Sequence, residues 1–307
     1  MSKIAFIYPG QGAQKIGMGM DFYKQFATAK EVYEKATAWL GMNMKELCFE
    51  ENDRLNLTQY TQAAMVTTSM AMEKVLEERG VHPDITAGLS LGEYCAVATA
   101  GAMSLKDAIV TVRRRGILME QAVPAGQGGM AAVLGMEAEA IENVVDPIEN
   151  VSIANYNCPG QIVITGMKDA LGTAMEALKE AGAKRVVELV VSGPFHSPML
   201  TEAGEKLAAE LDGVNLNKVN IPYVTNVTAE LVTDTEPIKG LLARQISSPV
   251  RWQQSVERML AEGVDTFIEI GPGRTLTGFL KKINRDVTAL NIETVADMEE
   301  VLAKYGK

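Results

Sequence analysis

Residues 85–100 read ITAGLSLGEYCAVATA, and the fold turns on how this stretch divides. Its first part is a short apolar, β-leaning run, its last part (LGEYCAVATA) has helical composition, and Gly88-Leu89-Ser90-Leu91-Gly92 between them is a GxSxG. Strand, sharp turn and helix in that order are what a nucleophile elbow needs. Glycine on both sides permits the tight turn, which leaves the serine hydroxyl exposed at a helix N-terminus. Free N–H groups at that helix end, including the one of Leu91, are placed to hold a developing oxyanion. Five letters alone arise by chance, so the reading of Ser90 as a nucleophile rests on the strand-turn-helix context.

Working outward, Lys3 to Tyr8 (KIAFIY) reads as a buried strand ending in the turn PGQG. Thr61 to Arg79 carries apolar residues at helical spacing and stops at Gly80. Ser104 is placed as the N-cap of a long helix, SLKDAIVTVRRRGILMEQAV, with Pro124 as its stop. After Pro124 the glycine-rich joint PAGQGG leads into a different texture. The order is strand (Met130 to Leu134), helix (Glu137 to Val145), strand (Val151 to Ala154), strand (Ile162 to Thr165), helix (Ala170 to Ala181) and strand (Arg185 to Val191). That βαββαβ order is the ferredoxin-like pattern and predicts a small inserted domain. From Pro198 helices and strands alternate again, with VDTFIEIG as the clearest strand and GPGRTLTGFLKKI as the turn and helix after it. The predicted organisation is therefore one parallel α/β domain from residues 1–124 and 197–307, interrupted by a ferredoxin-like subdomain at 125–196.

The chain has 307 residues, which at roughly 150 per domain gives about two units. Hydrophobic residues at 47% and charged residues at 22% are a globular mix and exclude a disordered or collagenous chain. A net charge of -10 argues against nucleic acid as a partner, because phosphate-tracking proteins need a dominant cationic surface. No apolar run reaches the roughly 18 residues of a spanning helix, and the first ten residues do not fit a signal peptide. Cys48, Cys95 and Cys158 are too few and scattered for a disulfide framework or a metal site. The expectation is a soluble protein of the reducing cytoplasm, with no membrane partner.

A serine nucleophile needs a base, and the chain has two histidines, His82 and His196. His82 lies in VHPD and reads as a solvated turn residue. His196 lies in SGPFHSPM, where the inserted segment hands back to the main domain, and is the candidate base; a packed core histidine is the plainer alternative. No carboxylate stands in a motif that marks it as a third triad member, and a backbone carbonyl orients an imidazole equally well. Among Arg113, Arg114 and Arg115, two read as a solvated helix face. At about 100° per residue, Arg115 points within roughly 60° of Ala108, Val112, Met119 and Ala122, so it lies on the apolar face. A guanidinium there needs an anion, either an internal Asp or Glu or a substrate carboxylate. Neither PGQGAQKIG nor GPGRTLTG fits a nucleotide-binding fingerprint; the first, after strand one, is placed to supply a second oxyanion N–H from Gln11.

The segments PGQGAQ, LTQYTQAA, GLSLGEY, RRRGILM, ANYNCPGQIVITG, GPFHSPM, SPVRW and EIGPGRTLTG together resemble the malonyl-CoA:acyl-carrier-protein transacylases, in that family's order from Tyr8 to Gly278. The resemblance implies a hydrolase-like α/β domain with a ferredoxin-like insertion and a cleft between them. It implies Ser90 as the acylated nucleophile, His196 as its base, and the backbone carbonyl of Gln245 orienting His196. Gln11 and Leu91 would give the oxyanion N–H groups and Arg115 would clamp the malonyl carboxylate, with Gln62, Met119 and Asn155 lining the acyl pocket. Two positions depart from the common pattern. Leu89 stands where the family commonly has histidine, and Phe195, before the candidate base, resembles malonyl-selective acyltransferases of polyketide synthases.

The implied activity is ping-pong transfer of malonyl from malonyl-CoA to the phosphopantetheine thiol of acyl carrier protein, by a monomer with no metal or redox cofactor. A trans-acting polyketide acyltransferase is the alternative, and a serine esterase or thioesterase a further one. Carrier proteins of this kind are acidic, as is this chain, so docking calls for a local positive patch. Lys281, Lys282 and Arg285 on FLKKINR, with Lys184 and Arg185, are the candidates, against their reading as ordinary solvated charges.

Overall fold

The computed structural model describes residues 2–124 and 126–306. Ala125, in the predicted joint, lies outside the described residues. Among the described residues ten strands run in chain order: β1 Ile4–Tyr8, β2 Ile85–Gly88, β3 Gly128–Leu134, β4 Val151–Cys158, β5 Gln161–Met167, β6 Arg185–Glu188, β7 Tyr223–Val224, β8 Leu231–Val232, β9 Thr266–Ile270 and β10 Thr288–Ile292. They form two sheets, ordered β10-β9-β1-β2-β7-β8 and β4-β5-β3-β6.

The larger sheet is parallel except at one edge, where β7 and β8 pair antiparallel. That edge corrects the expectation of a wholly parallel sheet: residues 225–230 are too few for a crossover, so the chain returns as a hairpin. β10 is a further strand beyond those the sequence marks, because an edge strand that is mostly part-exposed carries no continuous apolar run. The central strands are buried on both faces, and the two-residue period divides them between two cores. Phe6 and Tyr8 pack with helices Thr58–Glu78 and Leu105–Ala122, whereas Ala5 and Ile7 pack with Ile85, Ala87, Trp252, Phe267 and Leu276. Ser104 caps Leu105–Ala122 as its sequence predicts, accepting the Asp107 N–H at 3.0 Å.

The smaller sheet is antiparallel throughout and is covered by helices Ala138–Val145 and Lys168–Glu180, with Ala131, Val133, Ile153, Ile162, Ile164, Leu171 and Leu178 between the layers. Its strand order and βαββαβ sequence are ferredoxin-like. All four strands differ in extent from their sequence reading: β3 starts at Gly128 and β5 runs Gln161–Met167, both slightly longer than read, and the larger differences are in β4 and β6. β4 continues to Cys158 through two register shifts, and β6 ends at Glu188 because Leu189–Val191 leave the sheet for the cavity described below. The two sheets meet through the SPVRW segment: the Val250 N–H donates to the Ala154 carbonyl at 2.8 Å, and the Tyr156 N–H to the Val250 carbonyl at 2.9 Å. Among the described residues no helix is long and apolar enough to cross a membrane.

Candidate active site

β2 delivers Gly88 into the turn, and helix Gly92–Thr99 leaves it. A Cβ at Gly88 would collide with the backbone C and O of Gly92, and one at Gly92 with the carbonyl of Tyr8. Both glycines are therefore set by close backbone approach. Ser90 between them has φ 55°, in the left-handed region that serine rarely occupies. His196, with φ 58°, is another of the non-glycine residues in that region, so the two strained residues face each other.

The Ser90 hydroxyl lies 2.7 Å from His196 Nε2, and His196 Nδ1 is 2.9 Å from the backbone carbonyl of Gln245. A carbonyl only accepts, so Nδ1 carries the proton and Nε2 presents its lone pair to the hydroxyl. His196 is buried, and that burial, reinforced by the nearby Arg115 cation, lowers its pKa from 6.5 to about 3. The imidazole is consequently neutral over the physiological range. Among the described residues no carboxylate contacts the His196 ring, and the arrangement is a dyad completed by main chain.

Arg115 is fully buried. Nη1 donates to Gln62 Oε1 at 2.7 Å, and Nη2 to Gln245 Oε1 at 2.8 Å and to the Ser90 hydroxyl at 3.0 Å. Among the described residues no carboxylate oxygen lies within 4.0 Å of it, so the internal ion pair weighed above does not form. Burial lowers its pKa, with Tyr94 and Glu93 opposing. Arg114 is exposed and paired with Glu210 at 2.6 Å. Arg113 corrects the solvated-face reading: it is half-buried with its guanidinium 4.3 Å from the centre of the Tyr60 ring, because Tyr60 on the neighbouring helix covers that face.

A cavity of about 580 Å³ opens onto this group, lined by Gln11, Gln62, Ser90, Met119, Asn155, Phe195 and His196 together with Leu189, Val191 and Phe279. Gln62 Nε2 approaches Met119 Sδ at 3.2 Å. The Gln11 and Leu91 N–H groups have no protein acceptor among the described residues, as an oxyanion site requires. Arg115 is hydrogen-bonded to both Ser90 and Gln62 and does not itself line the cavity. No group of three His, Cys, Asp or Glu side chains is placed to hold a metal ion among the described residues. His82 is exposed, in keeping with its turn.

The acyl transferase domain model matches residues 5–301. A malonyl CoA-acyl carrier protein transacylase of Bacillus subtilis (strain 168) is 47% identical over 306 residues, covering 98% of this chain and 96% of the relative. The chain belongs to the malonyl CoA-acyl carrier protein transacylase family. A Staphylococcus aureus transacylase is 42% identical across 97% of this acyltransferase and 98% of its own length. Among solved structures, the transacylase of Clostridium perfringens superposes with a TM-score of 0.95 at 45% identity, covering 99% of this chain and 97% of that one. A type II polyketide-synthase acyl-carrier protein in complex with its malonyl-transacylase gives a TM-score of 0.96 at 38% identity, with 98% and 99% covered.

Two side chains of this acyltransferase's site escaped the sequence reading. Glu93, the acid of GLSLGEY, is fully buried beneath the elbow, and burial raises its pKa to about 7. Asn226, from the β7–β8 hairpin, is fully buried and bonded to the elbow itself. Glu93 was visible as an acid next to a predicted buried turn; Asn226 lies in TNVT, which carries no motif. Lys281 and Lys282 end helix Thr275–Ile283, Arg285 follows it, and Lys184 and Arg185 precede and begin β6; all five are exposed and, among the described residues, none has a carboxylate within 4.0 Å. Lys282 Nζ donates to Gln161 Oε1 at 3.2 Å, across from the helix to the smaller sheet.

Proposed function

We propose that this protein moves a malonyl group from malonyl-CoA to the phosphopantetheine thiol of acyl carrier protein through an acyl-Ser90 intermediate. The observation that carries the reading is a fully buried guanidinium, without a carboxylate partner among the described residues, touching the same hydroxyl that the His196 imidazole touches. A dyad alone suits any serine acyl enzyme. The uncompensated cation beside it suits an acyl group that brings its own carboxylate.

In this mechanism His196 Nε2 takes the Ser90 proton as Oγ attacks the thioester carbonyl, and the Gln11 and Leu91 N–H groups receive the oxyanion. The proton passes to the departing coenzyme A sulfur. The malonyl carboxylate binds Arg115 in place of the neutral oxygens the guanidinium now contacts, which fixes the acyl group and screens the cation that depresses His196. The carrier thiol then enters the cavity, gives its proton to His196 and takes the malonyl group, regenerating Ser90. These steps call on no metal or redox cofactor. We read the enzyme as a monomer of the cytoplasm, acting on no nucleic acid or membrane; three buried thiols, Cys48, Cys95 and Cys158, agree with a reducing compartment. Phe195, buried against the cavity, favours a second reading in which the carrier belongs to polyketide rather than fatty acid synthesis.

The test is the intact mass of the protein after brief incubation with malonyl-CoA, with peptide mapping. A malonyl adduct on Ser90 that acyl carrier protein discharges is the expected result. Accumulating free coenzyme A without an adduct or carrier product would assign the site to a hydrolase instead.

A further inference from the structure

The left-handed conformation of Ser90 is held from outside its own turn. Asn226 stands at the start of the β7–β8 hairpin loop, and its carboxamide spans the elbow. Nδ2 donates to the Gly88 carbonyl at 2.7 Å, and the Ser90 N–H donates to Oδ1 at 2.7 Å. One planar group thus sets the distance between the residues on either side of Leu89. Asn226 is anchored in turn: its N–H donates to Glu93 Oε2 at 3.2 Å, and its carbonyl accepts the Arg251 N–H at 3.0 Å. Gln245 Nε2 donates to the same Glu93 oxygen at 2.6 Å and to the Ser90 carbonyl at 2.9 Å. Both backbone polar groups of Ser90 are therefore occupied by buried side chains. Its N–H is closed to an oxyanion, and the next N–H, that of Leu91, is left to serve.

We propose that Asn226 is a positioning residue for acyl transfer: its clamp on Gly88 and Ser90 holds the strained elbow so that the Ser90 hydroxyl meets His196 and the Leu91 N–H faces the oxyanion. This rests on the Ser90–His196 reading above. The clamp needs a donor and an acceptor at once, which an amide supplies. Aspartate supplies the acceptor alone, and alanine neither.

The experiment measures the first-order rate constant for labelling of Ser90 by a fluorophosphonate in wild type, Asn226→Ala and Asn226→Asp, with kcat and KM for malonyl-CoA alongside. The labelling endpoint reports the folded fraction, so the rate constant is independent of lost stability. In Asn226→Ala the rate constant and kcat fall about 100-fold, the scale of a misplaced oxyanion donor, while KM stays within about threefold. Asn226→Asp falls less. A labelling rate constant in Asn226→Ala within about threefold of wild type, with only the endpoint reduced, would make Asn226 a structural support and overturn the proposal. Should the alanine variant not fold, a wild-type rate constant in Asn226→Asp overturns it equally. Wild-type protein that is labelled yet takes no malonyl from malonyl-CoA refutes the functional reading and leaves the Asn226 comparison decisive on its own; wild type that resists the label refutes both.

Discussion

Replacing Arg115 by alanine is expected to abolish the preference for a carboxylated acyl group while leaving the serine reactive. The guanidinium offers Nη1 and Nη2 from a fully buried position, and its present acceptors are neutral oxygens of Gln62, Gln245 and Ser90. Two charge-assisted hydrogen bonds to a malonyl carboxylate contribute about 1.5–3 kcal/mol each, or about 3–6 kcal/mol together. Their loss lowers the rate constant for acylation by malonyl-CoA by about 10² to 10⁴-fold. Acetyl-CoA makes no such contact, so its rate constant is expected to change by less than about tenfold. Arg115→Lys keeps the charge but not the planar fork and falls between. The assay is stopped-flow release of coenzyme A at single turnover with each thioester, normalised to the fraction of Ser90 labelled by a fluorophosphonate. That normalisation matters because the substitution removes a costly buried cation yet strands the amide oxygens of Gln62 and Gln245, two opposing effects on stability. An unchanged malonyl-to-acetyl ratio in Arg115→Ala, with normal labelling, would refute the assignment of the cation to the substrate.

Four further outcomes are expected. Because burial and Arg115 hold His196 at about 3, acylation is expected to stay flat as pH falls from 8 to about 5, where a histidine of ordinary pKa 6.5 would have lost most of its activity; in Arg115→Ala the acid limb moves upward. The same depression makes the unfolded chain bind more protons between about 3 and 6.5, so His196 favours unfolding as pH drops through that window, and His196→Ala is expected to flatten the acid side of a Tm–pH curve; Glu93, raised from 4.5 to about 7, acts in the opposite sense, its contribution fading as pH rises from 4.5 through 7. Gly88→Ala is expected to lower Tm by more than 10 °C or prevent folding, since its Cβ would meet Gly92 backbone, and a wild-type melting curve would contradict the close-approach argument. Charge reversal at Lys281 and Lys282 is expected to raise KM for acyl carrier protein and spare that for malonyl-CoA in steady-state transfer, and an equal effect on both would remove these residues from the docking surface.

What could be read from sequence alone was local. The elbow was legible because close approach around Ser90 demands glycine at 88 and 92, and because a strand run precedes it and a helical run follows. The βαββαβ order survived as a ferredoxin-like sheet because each strand alternates or runs apolar over its own few residues. Arg115 could be placed on a buried face by helical period, since Leu105–Ala122 is one continuous helix. Tertiary structure decided what those side chains meet. That the partners of Arg115 among the described residues are neutral oxygens, that Gln245 presents its carbonyl to His196 and its amide to Glu93, and that Asn226 grips the elbow all depend on segments brought together from more than a hundred residues away in some cases. No periodicity encodes such contacts, because a hydrogen bond between distant residues leaves only one polar letter at each end. The two-residue strands β7 and β8 show the same limit: a segment too short to alternate carries no signal of its own, and only pairing against β2 makes it a strand that delivers Asn226 to the site.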